Sequence, residues 1–378
     1  MKPWLLFVCF PLVLWAQPNE TNVRIQAGVK IRLETEPKNR FLADLDRFLE
    51  LKDADFTTYR YVDSLNYTTY KDLFDALKFI EVNAALNDSN YYRPYLVNFV
   101  EQAENTFLVS LSFRGSQNGE VDERARMTFL AQESNHTFKF LNPFEFYTKD
   151  WNTRKIKNAH FYYRGAFNEE EAEAFANHNE FLAALWNMES RPIRYYKCLN
   201  LQEVYQLMGI DYHVDINGVK RGCVTLGKAN LFVSGTNREE YKHDLTHFYF
   251  ELQVPQQSRN WVAEEGYNIN LTDYWGFATK ENYGFLKQYL AENGVTPLEI
   301  FEKNRIMKSP ISTKMPVAAL IMRKIEREKG MDGVLQVITC GTTDDDFFKA
   351  IETVAHITKE NFNEVVEEEL KKYFSPQN

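Results

Sequence analysis

The chain has 378 residues, of which 44% are hydrophobic and 15% aromatic, enough apolar material for two packed domains with separate cores. Its formal net charge of −9 argues against nucleic acid as a partner, because phosphate binding relies on clustered Lys and Arg. After the amino-terminal segment no stretch is apolar enough to span a bilayer.

Met1 and Lys2 give a short basic start, the apolar run Pro3 to Trp15 follows, and Ala16 supplies a small residue just before the polar stretch that opens at Gln17. This pattern predicts a signal peptide over residues 1–16 and a secreted or periplasmic mature chain. The run is too short for a spanning helix and contains Pro11. Cys9 sits inside the run and not at its end, which argues against lipid modification. Three cysteines then remain, Cys198, Cys223 and Cys340. Cys198 and Cys223 are able to pair in an oxidising compartment, but an odd count gives no disulfide framework and a chain of this size needs none, so three buried thiols are expected.

Phe41, Leu42, Leu45, Phe48 and Leu49 recur at helical spacing, as do Leu73, Phe74, Leu77 and Ile80. Alternation with period two follows in Phe107 to Phe113, Met127 to Ala131 and Phe138 to Phe140, with a turn at Gly115 to Gly119. Helices followed by antiparallel strands predict an α+β domain over residues 17–166, its aromatic residues serving as core. A second unit is expected over 167–378. Asn168 and Glu171 start a helix whose stripe reaches about Met188, Ile193 to Cys198 reads as a strand, and Leu201 to Met208 as a helix. Cys223 to Ser234 gives one or two strands broken at Gly227. Helices are predicted over Pro316 to Glu328, Gly330 to Thr339, Asp344 to Phe348 and Phe362 to Phe374.

The informative stretch is Tyr241-Lys242-His243-Asp244-Leu245-Thr246-His247. Asn237 with Glu240 forms a capping pair that would start a helix, on which His243 and His247 share a face one turn apart. Two imidazoles so placed reach one cation from a rigid support. Pro255 and the polar run Gln256 to Ser258 end that helix, and a second one from near Ser258 carries Trp261, Val262, Glu264, Glu265 and Gly266. A carboxylate from it completes a His, His, Glu set with a fourth position left for water, as in a catalytic zinc site.

This segment resembles the gluzincin branch of the zincin metallopeptidases, whose pattern is H-E-x-x-H followed some eighteen residues later by Glu-Gly and an aromatic. Here 17 positions, 248 to 264, separate His247 from Glu265-Gly266-Tyr267. The order of elements over roughly 190–375 is similar to that of the peptidase-MA-like proteins. The resemblance implies Zn2+ held by His243, His247 and Glu265, with Glu264 as a one-residue alternative, a peptide or protein substrate, and a substrate-pairing strand near Ala229 to Ser234. Asp244 stands where the family has the Glu that polarises the metal-bound water. An Asp carboxylate is shorter by about 1.5 Å, and a general base works at about 2.6–3.2 Å from its partner. A metal-retaining relative that binds peptides or glycans without turnover is therefore the alternative. The adjacent His243-Asp244 pair alone would also suit a His-Asp phosphohydrolase, in which the Trp261 to Tyr267 segment has no place. Tyr267 and Tyr274 are the nearest candidates for oxyanion stabilisation, with aromatic packing as the competing explanation. His213 and His356 lack partners at ligand spacing. Asp344 to Asp346 lacks the Gly and Glu of a calcium loop and is expected to cap the helix that follows.

Overall fold

A computed structural model describes residues 22–53, 60–218, 222–308 and 311–375. The predicted signal peptide lies outside them. The fold is α+β. In chain order the elements are β1 (Arg24–Ile25), α1 (Thr35–Glu50), α2 (Ser64–Thr69), α3 (Lys71–Ala76), β2 (Arg93–Ala103), β3 (Thr106–Gln117), β4 (Glu120–Ser134), β5 (Thr137–Leu141) and α4 (Phe144–Thr148). There follow β6 (Asn152–Ile156), β7 (Ala159–Tyr163), α5 (Glu169–Leu185), β8 (Ile193–Lys197), α6 (Leu201–Leu207), β9 (Ile210–His213), β10 (Cys223–Leu226) and β11 (Leu231–Ser234). The remainder is α7 (His243–Gln253), α8 (Trp261–Leu271), α9 (Thr279–Asn293), α10 (Pro297–Lys303), β12 (Ile306–Lys308), β13 (Ile311–Ser312), α11 (Lys314–Ile338), α12 (Asp344–Ala355) and α13 (Phe362–Phe374).

The chain divides into two compact units, Met1–Lys149 with Tyr205–Val219, and Asp150–Val204 with Lys220–Asn378. The first break thus falls before the position expected near 166. The reason is that β6 and β7 pair with each other and β7 then pairs in parallel with β8, committing residues 152–163 to the second unit's sheet. Alternation in β6 is masked by the exposed run Asn152 to Lys155, so periodicity gave no warning.

In the first unit the order β1-β2-β3-β4-β5 forms a sheet to which β9 adds on β4. Buried Phe41, Leu45 and Phe48 on α1 join Phe107, Phe129, Phe138 and Phe140 in one core. The helix expected over Leu73 to Ile80 is instead broken: α3 stops at Ala76 and Phe79 takes φ 54.

In the second unit the sheet order is β10-β11-β8-β7-β6. β11 is buried at every position and lies between β10 and β8. Among the described residues the edge strands of this sheet are β10 and β6, so the Ala229 to Ser234 segment expected to pair with substrate lies in its interior. α5 starts on the Asn168 side chain, which accepts from the Glu171 amide. Asp346 closes a capping box with Thr343 at the start of α12, in line with a capping role for the acidic run. Gly330, at φ 64, divides α11 in two, as its sequence suggested. Cys198, Cys223 and Cys340 are free thiols, and of them Cys198 alone is fully buried.

α8 runs against α11, and at Gly266 the two backbones come close. A Cβ at this position would stand 2.8 Å from the Ala318 carbonyl carbon and 2.9 Å from the Ala319 nitrogen. The glycine after Glu265 is thus a packing requirement that sets the height of α8. Gly266→Ala is expected to destabilise the chain by about 1–3 kcal/mol through overpacking. Gly284, in α9, faces open space, and a Cβ there would meet nothing within 4 Å. Gly284→Ala should therefore stabilise by about 1 kcal/mol. Urea unfolding of the two variants checks the pair; equal effects would contradict the packing argument.

Candidate metal centre

α7 starts later than its sequence suggested. Lys242 is its N-cap without a side-chain cap bond, and Asn237 sits at φ 57, outside any helix. The segment between is held elsewhere: buried Glu239 pairs with Lys197 at 2.7 Å and accepts from the Asn168 amide at 3.2 Å. The Glu239 amide donates to Glu171 at 3.0 Å. With those bonds fixed, helical backbone begins only at His243, which becomes its first residue. Asp244 follows in the first turn, where the helix dipole favours a negative charge.

His243 and His247 nonetheless share a face. Their Nε2 atoms are 3.2 Å apart, with ring planes at 74°. α8 brings Glu265 to them, Oε1 at 3.1 Å from His247 Nε2 and Oε2 at 3.4 Å from His243 Nε2. Two ligands at about 2.0–2.1 Å from a tetrahedral centre stand about 3.3 Å apart, which these separations match. The group His243, His247 and Glu265 is able to hold a metal ion.

The groups behind the imidazoles strengthen the case. His243 Nδ1 meets the Asp273 carbonyl oxygen at 3.0 Å, and His247 Nδ1 meets Glu264 Oε1 at 2.6 Å. Both partners are acceptors, so each Nδ1 carries a hydrogen, and in the neutral imidazoles each Nε2 presents a lone pair to the same point. The Asn268 amide nitrogen, 3.1 Å from His247 Nε2, also treats that atom as an acceptor. Glu265 Oε2 is buried and has no hydrogen-bond partner among the described residues. Two lone pairs and an unsatisfied carboxylate oxygen demand positive charge. Without an ion a proton meets that demand: burial disfavours the His247 imidazolium, yet contacts with Glu264 and Glu265 outweigh it and lift its pKa to about 10, so a metal ion would take the place of the Nε2 proton. Burial likewise pushes Glu265 up, and the two imidazoles overcome it to hold the carboxyl at about 2.

Glu264 therefore has a different place from the one its neighbour holds. It faces the far nitrogen of His247 and accepts from Arg259 Nη1 at 2.6 Å, leaving Glu265 alone on the metal side. Consecutive residues of a helix point about 100° apart, and here the pair contacts both nitrogens of one imidazole. Sequence reasoning missed Arg259, Asn268 and the Asp273 carbonyl. Asn268 was within reach of it, three residues after Glu265 and so on the same helical face.

Asp244 is half-buried and its Oδ2 accepts from the Thr225 hydroxyl of β10 at 3.3 Å. Cys223, also on β10, has its thiol pushed well up by burial and then by the Asp244 charge. Tyr274 places its ring 5.8 Å from that of His243, and burial followed by the Glu265 charge raises its phenol to about 12. Tyr267 is fully buried and donates to Glu326 at 2.7 Å, away from the triad. His213 lies in the first unit, and His356 closes α12 at φ 55. Neither joins the metal group.

No protein-family model matches the chain, and no curated protein is similar to it in sequence.

Stripped by chelator and titrated with a divalent cation, the protein should take up one ion per chain, and His243→Ala, His247→Ala or Glu265→Ala should each abolish uptake. Glu264→Gln keeps all three ligands and removes the charge behind His247, so affinity should fall about 10–100-fold. Competition against a chromophoric chelator measures both; wild-type affinity in Glu264→Gln would remove Glu264 from the site.

Proposed function

We propose that this protein is a secreted, zinc-dependent peptidase related to the gluzincins. What carries the proposal is the convergence of two imidazole Nε2 lone pairs and one buried carboxylate, each imidazole fixed from behind by an acceptor. Two nitrogens and one oxygen with room for a further ligand suit zinc, which keeps an open position in catalytic sites. The apolar amino-terminal run supports export.

A bound zinc ion supplies Lewis acidity toward a carbonyl oxygen and lowers the pKa of water. The protein's own groups do the rest. Asp244, on the turn between the ligands, takes a proton from the attacking water and returns it to the leaving amine. Tyr274, kept neutral by its raised pKa, is a hydrogen-bond donor for the developing oxyanion. Among the described residues β10 is paired on one side only, with β11. The strand contacts Asp244 through the Thr225 side chain, and its second edge would offer backbone groups to an extended substrate.

One observation favours the second reading, a metal-holding relative that binds peptides without cleaving them. The short Asp244 side chain is engaged with Thr225 of β10, and a longer carboxylate would reach further toward the triad. Cleavage of a mixed peptide library by zinc-loaded protein separates the two. Wild type should show turnover that Asp244→Asn abolishes, while Asp244→Glu should raise the rate at least about tenfold, below the range that a well-placed base contributes in full. If wild type and Asp244→Glu each hold one zinc per chain and neither cleaves, the peptidase proposal fails and the binding reading stands.

A further inference from the structure

The metal group sits in the middle of a row of aromatic rings. Trp261, the first residue of α8, lies flat on His247, with centroids 5.3 Å apart and planes at 13°. His247 is followed by His243 at 4.9 Å, Tyr274 at 5.8 Å from it, and Trp275 at 6.3 Å from Tyr274. Exposure rises outward along the row: His243 is 8% exposed, whereas the terminal Trp261 and Trp275 are 52% and 47% exposed. The ligands are therefore sunk between two half-open tryptophans. Trp261 stacks on His247 while about half of its own surface remains exposed.

Trp275 is held against its own backbone preference. Tyr274 and Phe277 exchange both backbone hydrogen bonds, at 2.9 and 3.1 Å, closing a two-residue turn. Its central residues, Trp275 and Gly276, stand at φ 54 and φ 78. Positive φ at both positions is the mark of a type I′ turn, which favours Asn, Asp or Gly at the first of them. A bulky residue there is strained, and such strain gathers at ligand-contacting sites. The tryptophan is also half in water, so burial of its ring does not explain its presence.

We propose that Trp261 and Trp275 are the side walls of a substrate groove and select an extended peptide with aromatic side chains on both sides of the metal. The choice of a peptide as occupant rests on the peptidase reading and on the second edge of β10, the strand that contacts Asp244 through Thr225. The choice of aromatic side chains rests on the two half-exposed indoles, since ring pairs gain from offset stacking beyond the area they bury.

Calorimetric titration of the zinc-loaded protein tests this with the blocked hexapeptide Phe-Ala-Gly-Gly-Ala-Phe, the same peptide with Ala at both ends, and chitotriose as a sugar that also stacks on indoles. Cleavage of each peptide is followed by chromatography in the same samples. The Phe peptide should bind about tenfold more tightly than the Ala peptide, and Trp261→Leu and Trp275→Asn should each remove most of that difference. Trp275→Asn should at the same time raise the urea midpoint, because Asn accepts positive φ. Loss of binding joined to gain of stability is what a purely structural tryptophan would not give. Equal affinity for the two peptides, unchanged selectivity in both variants, or tighter binding of chitotriose than of the Phe peptide would overturn the proposal. Selective binding without cleavage supports the groove and counts against the peptidase reading; cleavage indifferent to both tryptophans does the reverse.

Discussion

Two imidazole nitrogens facing each other at 3.2 Å, with a buried carboxylate beside both, form an arrangement that repels itself unless positive charge lies between them. The protein does nothing to relieve this by turning the rings. It fixes them, using the Asp273 carbonyl behind His243 and Glu264 behind His247, and it fixes Glu264 in turn with buried Arg259. Each of these bonds has an acceptor on the imidazole's far side, so the lone pairs remain aimed inward. Around this point the rest of the second unit is arranged to keep two helices, α7 and α8, in one relative position.

Packing supplies that position. α8 is tied at its start by Asn260, whose side chain caps Ala263 and donates to the Gly341 and Thr343 carbonyls. Its middle is seated on α11 at Gly266, where no side chain fits. With both its start and its depth fixed, Glu264 and Glu265 have no freedom to exchange roles. The division between a carboxylate on the metal side and one behind His247 follows from helix geometry and this seating together.

The same logic explains the position of Asp244. Because Glu239 and its partners hold the chain down to residue 242, helix α7 opens at His243. Asp244 then belongs to an amino-terminal turn next to the edge strand β10, where Thr225 contacts it. Asp244, β10 and the His243, His247 and Glu265 group thus lie within one unit of the chain, with Trp261 and Trp275 at the ends of the ring row.

Features that depend on short-range periodicity and on residue chemistry were legible along the chain. The spacing of His243 and His247, the Glu265-Gly266 pair, the cap at Asn168, a capping role for the acidic run at 344–346, the break at Gly330 and the α+β class all belong here, because a helix turn or a capping bond involves residues three or four apart. Long-range contacts governed the remainder. Only the fold placed Glu265 on the side the two imidazoles share and Glu264 on the far side of His247, since one residue of helix rotation separates them and no local pattern encodes the angle at which α8 meets α7. Only the fold moved the start of α7 to His243, through an ion pair between residues 197 and 239. And only the fold placed β11 inside the sheet and β10 at its edge, because strand order is set by pairing between segments far apart in the chain, which periodicity does not record.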